Sequence, residues 1–193
     1  MEPVIIADKI FDKTDFKESQ LPKGEYDNCT FNNCDFSNTD FSEMLFVDCV
    51  FTGCNLSLVK LHKTIFRDIV FNDCKMAGLR FDDCSEFGLS FIFNNCSLNH
   101  SAFYKTKIKK TEFKNCQLKG TDFTEADLTS AVFNNCDLTD AAFENTVLEK
   151  ADFRSSYNYS IDPEINKMKK ARFSLPEVVG LLSKYDIVID KNG

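Results

Sequence analysis

Large apolar residues recur every five positions along most of this chain. They fall at Phe11, Phe16, Leu21, Tyr26, Phe31, Phe36, Phe41 and onward to Phe81, then resume from Phe93 and run in the same step to Phe153. A period of five fits neither the 3.6 of a helix nor the 2 of a strand. It fits a backbone that turns a corner every five residues. The residue two before each centre is usually small, as at Cys96, Ser101, Thr106, Thr111, Cys116 and Thr121. Two inward residues flanking one outward residue make a short strand with alternating sides. One inward residue is large and the other small, so they interdigitate in a narrow interior.

A second period lies over the first. Phe11, Phe31, Phe51 and Phe71 are twenty apart, as are Phe93, Phe113, Phe133 and Phe153, and the step between the two sets is twenty-two. Four five-residue units therefore make one coil, with a two-residue insertion between Cys84 and Phe93. One column holds eight phenylalanines, and its neighbour holds Cys34, Cys54, Cys74, Cys96, Cys116 and Cys136. This explains a composition with twenty Phe and no Trp. About seven and a half coils at one strand spacing each give a rod roughly 35 Å long.

The nine cysteines contain no CxxC pair, and all nine fall at small inward positions. There they act as small hydrophobes. Stacked thiols would lie ~4.8 Å apart, but parallel side-chain vectors disfavour a disulfide. A straight column also offers no tetrahedral metal site. Free thiols point to a reducing cytoplasm. The N-terminus does not read as a signal peptide, and no apolar run is long enough for a membrane span. The two histidines, His62 and His100, fall at outward positions without a partner for catalysis. A solenoid this narrow has no lumen for a ligand. The reading is of a non-enzymatic chain without cofactor or metal. The recurring FNNC (31–34, 93–96, 133–136) reads as turn chemistry, since Asn tolerates unusual backbone angles and can ladder with its neighbours.

Segments such as ADLTS (126–130), TDFTE (121–125), CDLTD (136–140) and ADFRS (151–155) resemble the A(D/N)Lxx motif of the pentapeptide repeat family, over roughly residues 9 to 157. The resemblance implies an all-β fold, a right-handed quadrilateral parallel β-helix. The tail segments YSIDPEINKM (159–168) and SLPEVVGLLSKYDIVI (174–189) resemble the C-terminal module of the McbG-like and, more loosely, Qnr-like subgroup. That subgroup implies binding to DNA gyrase or topoisomerase IV, in some members by imitating duplex DNA, and a dimer formed by C-terminal helices. The long loops that interrupt Qnr coils have no counterpart here. The one irregularity is the insertion near Phe87 and Gly88.

These features divide the chain into a β-helix over residues 1–158 and a cap over 159–193. Ser174 and Glu177 make the capping-box pattern S-x-x-E before an apolar run, which predicts a helix over about 175–184. Val178, Leu181 and Leu182 share one stripe of it. Asp186 to Ile189 reads as a short extended strand. Val178, Leu181, Leu182, Ile187 and Ile189 are the candidate dimer interface.

The formal net charge is −7. Six acids and no Lys or Arg lie between Lys23 and Lys60, and seven acids and no base lie between Lys119 and Lys150. A basic patch from Lys105 to Lys119 separates these belts. An acidic rod repels nucleic acid and attracts basic clefts. Asp40, Glu43, Asp48, Asp122, Glu125, Asp127, Asp140, Glu144 and Glu149 are the candidate partner-binding surface. The expected partner is a type II topoisomerase bound by a DNA-like homodimer, without direct nucleic-acid or membrane contact. The alternative is a scaffold for another protein, with its charges serving solubility.

Overall fold

The computed structural model describes residues 4–185 and 187–190. Within them the chain winds as a four-sided, all-parallel β-solenoid. In chain order the strands are β1 (Val4–Ala7), β2 (Ile10–Asp12), β3 (Gly24–Asp27), β4 (Thr30–Asn32), β5 (Leu45–Val47), β6 (Val50–Thr52), β7 (Ile65–Arg67), β8 (Ile69–Asn72), β9 (Phe91–Asn94), β10 (Glu112–Lys114) and β11 (Val132–Asn134). One sheet stacks β1, β3, β5 and β7, and the other runs from β2 through β4, β6, β8, β9 and β10 to β11. Pairing advances by twenty residues, as in Phe31↔Phe51, and by twenty-two once, at Phe71↔Phe93. Isolated bridges such as Asp122↔Ala142 and Asp137↔Tyr157 carry the same step round the other sides.

The four faces can be named by their central residues. Face 1 carries Phe11 and its column, face 2 Phe16, face 3 Leu21 and face 4 Tyr26. The face 1 rings form one continuous stack, with centroids 4.9 Å apart at Phe11–Phe31, 4.6 Å at Phe31–Phe51 and 5.4 Å at Phe71–Phe93. Pairing does not stop at residue 158. Bridges join Val147 to Lys167 and Asp152 to Arg172, and Phe173 stacks on Phe153 at 5.3 Å. Phe173 is thus a ninth member of the column. The five-residue rhythm lapses around Ser160 to Pro163 and hides it, although the twenty-residue step survives.

The small inward position has a second task. Most of its polar side chains donate to a backbone carbonyl one coil below, usually that of the residue 23 before. Cys54 Sγ reaches Phe31 O at 3.3 Å, Thr64 Oγ1 reaches Phe41 O at 2.8 Å, and Ser156 Oγ reaches Phe133 O at 2.8 Å. A hydroxyl or thiol therefore enters a dry interior without an unmet hydrogen bond. All nine cysteines are buried and free, as the spacing predicts.

The corner residue two after the centre takes a positive φ at most sides, from Asp8 (55°) to Lys170 (61°), but not at Glu18, Lys23, Asp83 or Ser155. The second Asn of each FNNC stands there, and these side chains form the expected ladder: Asn95 donates to Asp73, Asn115 to Asn95 and Asn135 to Asn115. Gly120 occupies one such corner, where an added Cβ would meet the His100 ring at 2.7 Å.

The insertion is absorbed on face 4. Counting twenty-two from Phe66 brings Gly88 to the large central position, which leaves that site without a side chain. Phe87 beside it is 83% exposed. The vacancy is filled from the neighbouring column. Phe91 stands where the other coils place Cys49, Ile69 or Thr111, and its ring lies 5.8 Å from Phe66, 5.3 Å from Phe81 and 5.4 Å from Phe93. A large residue at a small position thus restores the volume lost at the adjacent large one.

The cap differs from the predicted helix over 175–184. Two short 3-10 turns, Val178–Leu181 and Ser183–Tyr185, stand there instead. Ser174 uses its backbone carbonyl to accept from Val178 N–H, and no side chain caps the first turn. The reason is docking. Ile161 N–H donates to Gly180 O, and an added Cβ at Gly180 would lie 2.2 Å from Tyr159 O. Contact that close pins the backbone to the last coil, and a glycine in mid-segment gives a regular helix little support. Of the expected strand, Asp186 lies outside the described residues, and Ile187 to Ile189 adopt no regular structure.

Candidate partner-binding surface

The twenty-residute step decides which acids meet.

 Asp40 and Asp122 take the outward position before the centre of face 3, Glu144 the outward position after it, and Glu43 and Glu125 its corner. Asp127 and Glu149 lie on face 4, Asp48 at the face 4 corner, and Asp140 at the corner that leads from face 2 into face 3. The bridges Asp40↔Lys60, Asp122↔Ala142 and Asp127↔Val147 fix these registers. The nine acids therefore do not form one stripe. They make a lower group at Asp40, Glu43 and Asp48 and an upper group nearer the cap.

Lysines from the basic patch reach one coil up and neutralise part of the upper group. Lys105 Nζ lies 3.5 Å from Glu125, Lys109 Nζ 3.1 Å from Asp127, and Lys119 Nζ 3.2 Å from Asp137. In the lower group, Lys23 pairs with Asp40 at 3.2 Å. Hydrogen bonds from Ser42, opposed by partial burial and helped by Lys23, hold the Asp40 carboxyl down at about 2. Exposed pairs like these contribute at most about 1 kcal/mol each, but they remove charge from the surface a partner would read. Glu43, Asp48, Asp122, Asp140, Glu144 and Glu149 make no ion pair among the described residues. The sequence showed the acidic belts and the basic patch as separate blocks. It did not show that a step of about twenty residues brings one against the other.

The apolar tail residues also divide. Val178 and Leu181 are partly buried, and Leu181 packs against the core with Met168 and Phe173. Leu182, Ile187 and Ile189 are exposed, as are Leu175 at 87% and Val188 at 91%, which the predicted stripe omitted. Lys184 ties the tail to the top coil through Asp162 at 2.8 Å and Glu164 at 2.6 Å.

Both histidines are exposed. Among the described residues, no group of His, Cys, Asp and Glu is arranged to hold a metal ion, and no helix is long and apolar enough to cross a membrane. A surface depression of about 610 Å³ lies between the cap and the last coil and is lined by Thr139, Asn158, Glu177 and Ser183 among others.

A coil of four five-residue sides, stacked large and small columns and a docked tail define a class of protein. The chain belongs to the pentapeptide repeat family, whose model, described as a pentapeptide repeat region, matches residues 25–92 and 90–158. Among solved structures, a trypsin-treated variant of QnrB1, described as a plasmid-mediated fluoroquinolone resistance protein, aligns with a TM-score of 0.62 at 17% identity, covering 97% of this chain and 100% of that one. A second trypsin-treated QnrB1 variant aligns with a TM-score of 0.55 at the same identity and coverage. At that identity the likeness is one of fold. No curated protein matches the sequence.

Proposed function

We propose that this chain is a non-enzymatic rod that binds a protein partner through its acidic faces, and that the partner is a type II topoisomerase, DNA gyrase or topoisomerase IV. The observation that carries the reading is the upper acidic group next to the cap. Asp122, Asp140 and Glu144 lie on and beside face 3 and make no ion pair with a lysine or arginine among the described residues. A groove that normally grips DNA phosphates is a basic cleft of the kind such a surface attracts. The tail's resemblance to McbG-like and Qnr-like proteins and the end-to-end likeness of fold to QnrB1 support the choice of partner. The rod acts as a homodimer joined at the cap, where Leu182, Ile187 and Ile189 stand exposed. Nine buried free thiols suit a reducing compartment such as the cytoplasm.

A second reading has its own support. The lysine pairs at Glu125, Asp127 and Asp137 interrupt the negative surface, which suits a scaffold for a different protein better than an imitation of DNA. Direct binding to purified gyrase, with the charge-reversed variant Asp122→Lys/Glu144→Lys beside the native chain, separates the two. Micromolar binding lost on reversal supports the first reading. Binding that survives reversal supports a scaffold, and no binding to gyrase or topoisomerase IV overturns the topoisomerase assignment.

A further inference from the structure

The depression under the cap holds two polar groups that the chain itself leaves open. It lies where the turn Val178–Leu181 meets the last coil, and Tyr159, Ser160, Glu177 and Ser183 stand among its walls. Tyr159 is 4% exposed, and its ring packs 5.8 Å from Phe153 and 5.6 Å from Phe173. Its hydroxyl is buried without a hydrogen-bond partner among the described residues. Buried hydroxyls are normally paired, and the tyrosine near the other end of the rod obeys the rule, since Tyr26 donates to Pro22 O at 2.6 Å. Glu177 is the second open group. It is partly buried, caps no backbone N–H with its side chain, and makes no ion pair among the described residues. The two groups stand near each other. Burial, and after it the Glu177 charge, raises the Tyr159 phenol to about 12. The one base in residues 174–185, Lys184, is turned away to Asp162 at 2.8 Å and Glu164 at 2.6 Å. No lysine or arginine lines the depression. At its rim, Asp140 follows Thr139 and is exposed.

We propose that this depression seats a guanidinium group, with the Glu177 carboxylate facing its charge and the Tyr159 hydroxyl accepting one of its N–H groups. A carboxylate in a recess without a cation is a costly arrangement that a bound cation relieves. A guanidinium suits these walls better than an ammonium does. Its planar fork of five donors meets a carboxylate with two N–H groups and leaves others for a hydroxyl at a different point. An ammonium is a compact, strongly hydrated point charge. The group has two possible sources, an arginine of a partner protein or a free alkylguanidine. The depression adjoins the upper acidic group through Asp140, so a partner held there would present an arginine to it. That choice of source rests on the acidic surface being a docking surface, whereas the site itself does not.

Agmatine, N-acetyl-arginine amide and N-acetyl-lysine amide titrated at constant ionic strength into the ¹⁵N-labelled full chain test this, with the amide shifts of Gly180 and Ser183 as the readout. Both guanidines are expected to give saturable shifts confined to the cap and the last coil, and the lysine amide to bind more weakly. Glu177→Gln weakens guanidine binding by roughly fivefold. Tyr159→Phe weakens it by about threefold, while the free variant unfolds at or above the native temperature because its hydroxyl had no partner to lose. The source is read from gyrase binding. Gyrase binding that agmatine competes away and Glu177→Gln weakens assigns the seat to a partner's arginine, and gyrase binding indifferent to both assigns it to a free guanidine. Asp122→Lys/Glu144→Lys keeps its agmatine shifts, so the site and the topoisomerase assignment stand or fall separately. No saturable shift, an equal response to the lysine amide, undiminished binding by Glu177→Gln, or a Tyr159→Phe variant that unfolds earlier and binds as well as the native chain overturns the proposal.

Discussion

At the scale of single residues, the interior is set by one large and one small side chain per side, and each has a measurable limit. Cys96 is buried, and its thiol donates to Phe71 O at 3.4 Å. Cys96→Thr keeps a donor of similar size at this position and is expected to be nearly neutral in urea unfolding. Cys96→Leu adds volume to a closed column and is expected to cost about 1–3 kcal/mol. Phe91→Ala removes the ring that fills the vacancy above Phe66 and is expected to cost about 3–5 kcal/mol. Protonation adds a pH window at each end. Burial raises the folded Cys49 thiol to about 12 from an ordinary 9.0. The unfolded chain therefore releases this proton first. That contribution to stability is complete below pH 9, falls as pH rises, and is gone above about 12. Asp40, held at about 2 against an ordinary 3.8, works in the opposite sense. Its contribution is present above 3.8 and is lost as pH falls toward 2. Unfolding midpoints measured across pH should fall on both limbs.

Elements were legible in the sequence to the extent that they repeat. The five-residue step identified the large inward residues from Phe16 to Phe153, and these are buried. The twenty-two-residue step located the insertion but not its repair, because nothing in the spacing shows that Phe91 moves into a small column. Deleting Glu86 and Gly88 would put Phe87 at the empty centre of face 4. With Phe91 retained, the deletion overpacks the coil and is expected to lower the unfolding midpoint. Combined with Phe91→Ala it completes a regular coil and should recover the native midpoint. The cap was misread for a different reason. Ser174, Glu177 and the stripe at Val178, Leu181 and Leu182 satisfy helix rules locally, but the close approach of Gly180 to Tyr159 overrides them. Gly180→Val cannot keep that approach. It should release the tail and speed amide exchange in the last coil, leaving coils two to five unchanged.

Across the whole molecule, opposite sides of one rod carry different chemistry: a face 1 with one charge, Asp73, from its second to its fifth coil, and a face 3 whose acids fall into a lower and an upper group. The candidate surface was legible only as a list of acids. Pairing across coils, which the linear belts conceal, divides that list into Glu125, Asp127 and Asp40, which are paired, and Glu43, Asp48, Asp122, Asp140, Glu144 and Glu149, which make no ion pair among the described residues. The most direct measurement of the proposed role is a supercoiling assay with purified DNA gyrase, with and without a fluoroquinolone, across micromolar concentrations of the full chain. A partner-binding rod that occupies the DNA groove is expected to change supercoiling or drug-induced cleavage in proportion to its concentration, and Asp122→Lys/Glu144→Lys is expected to lose that effect while unfolding at the native temperature. Unchanged supercoiling and unchanged cleavage at every concentration would contradict it.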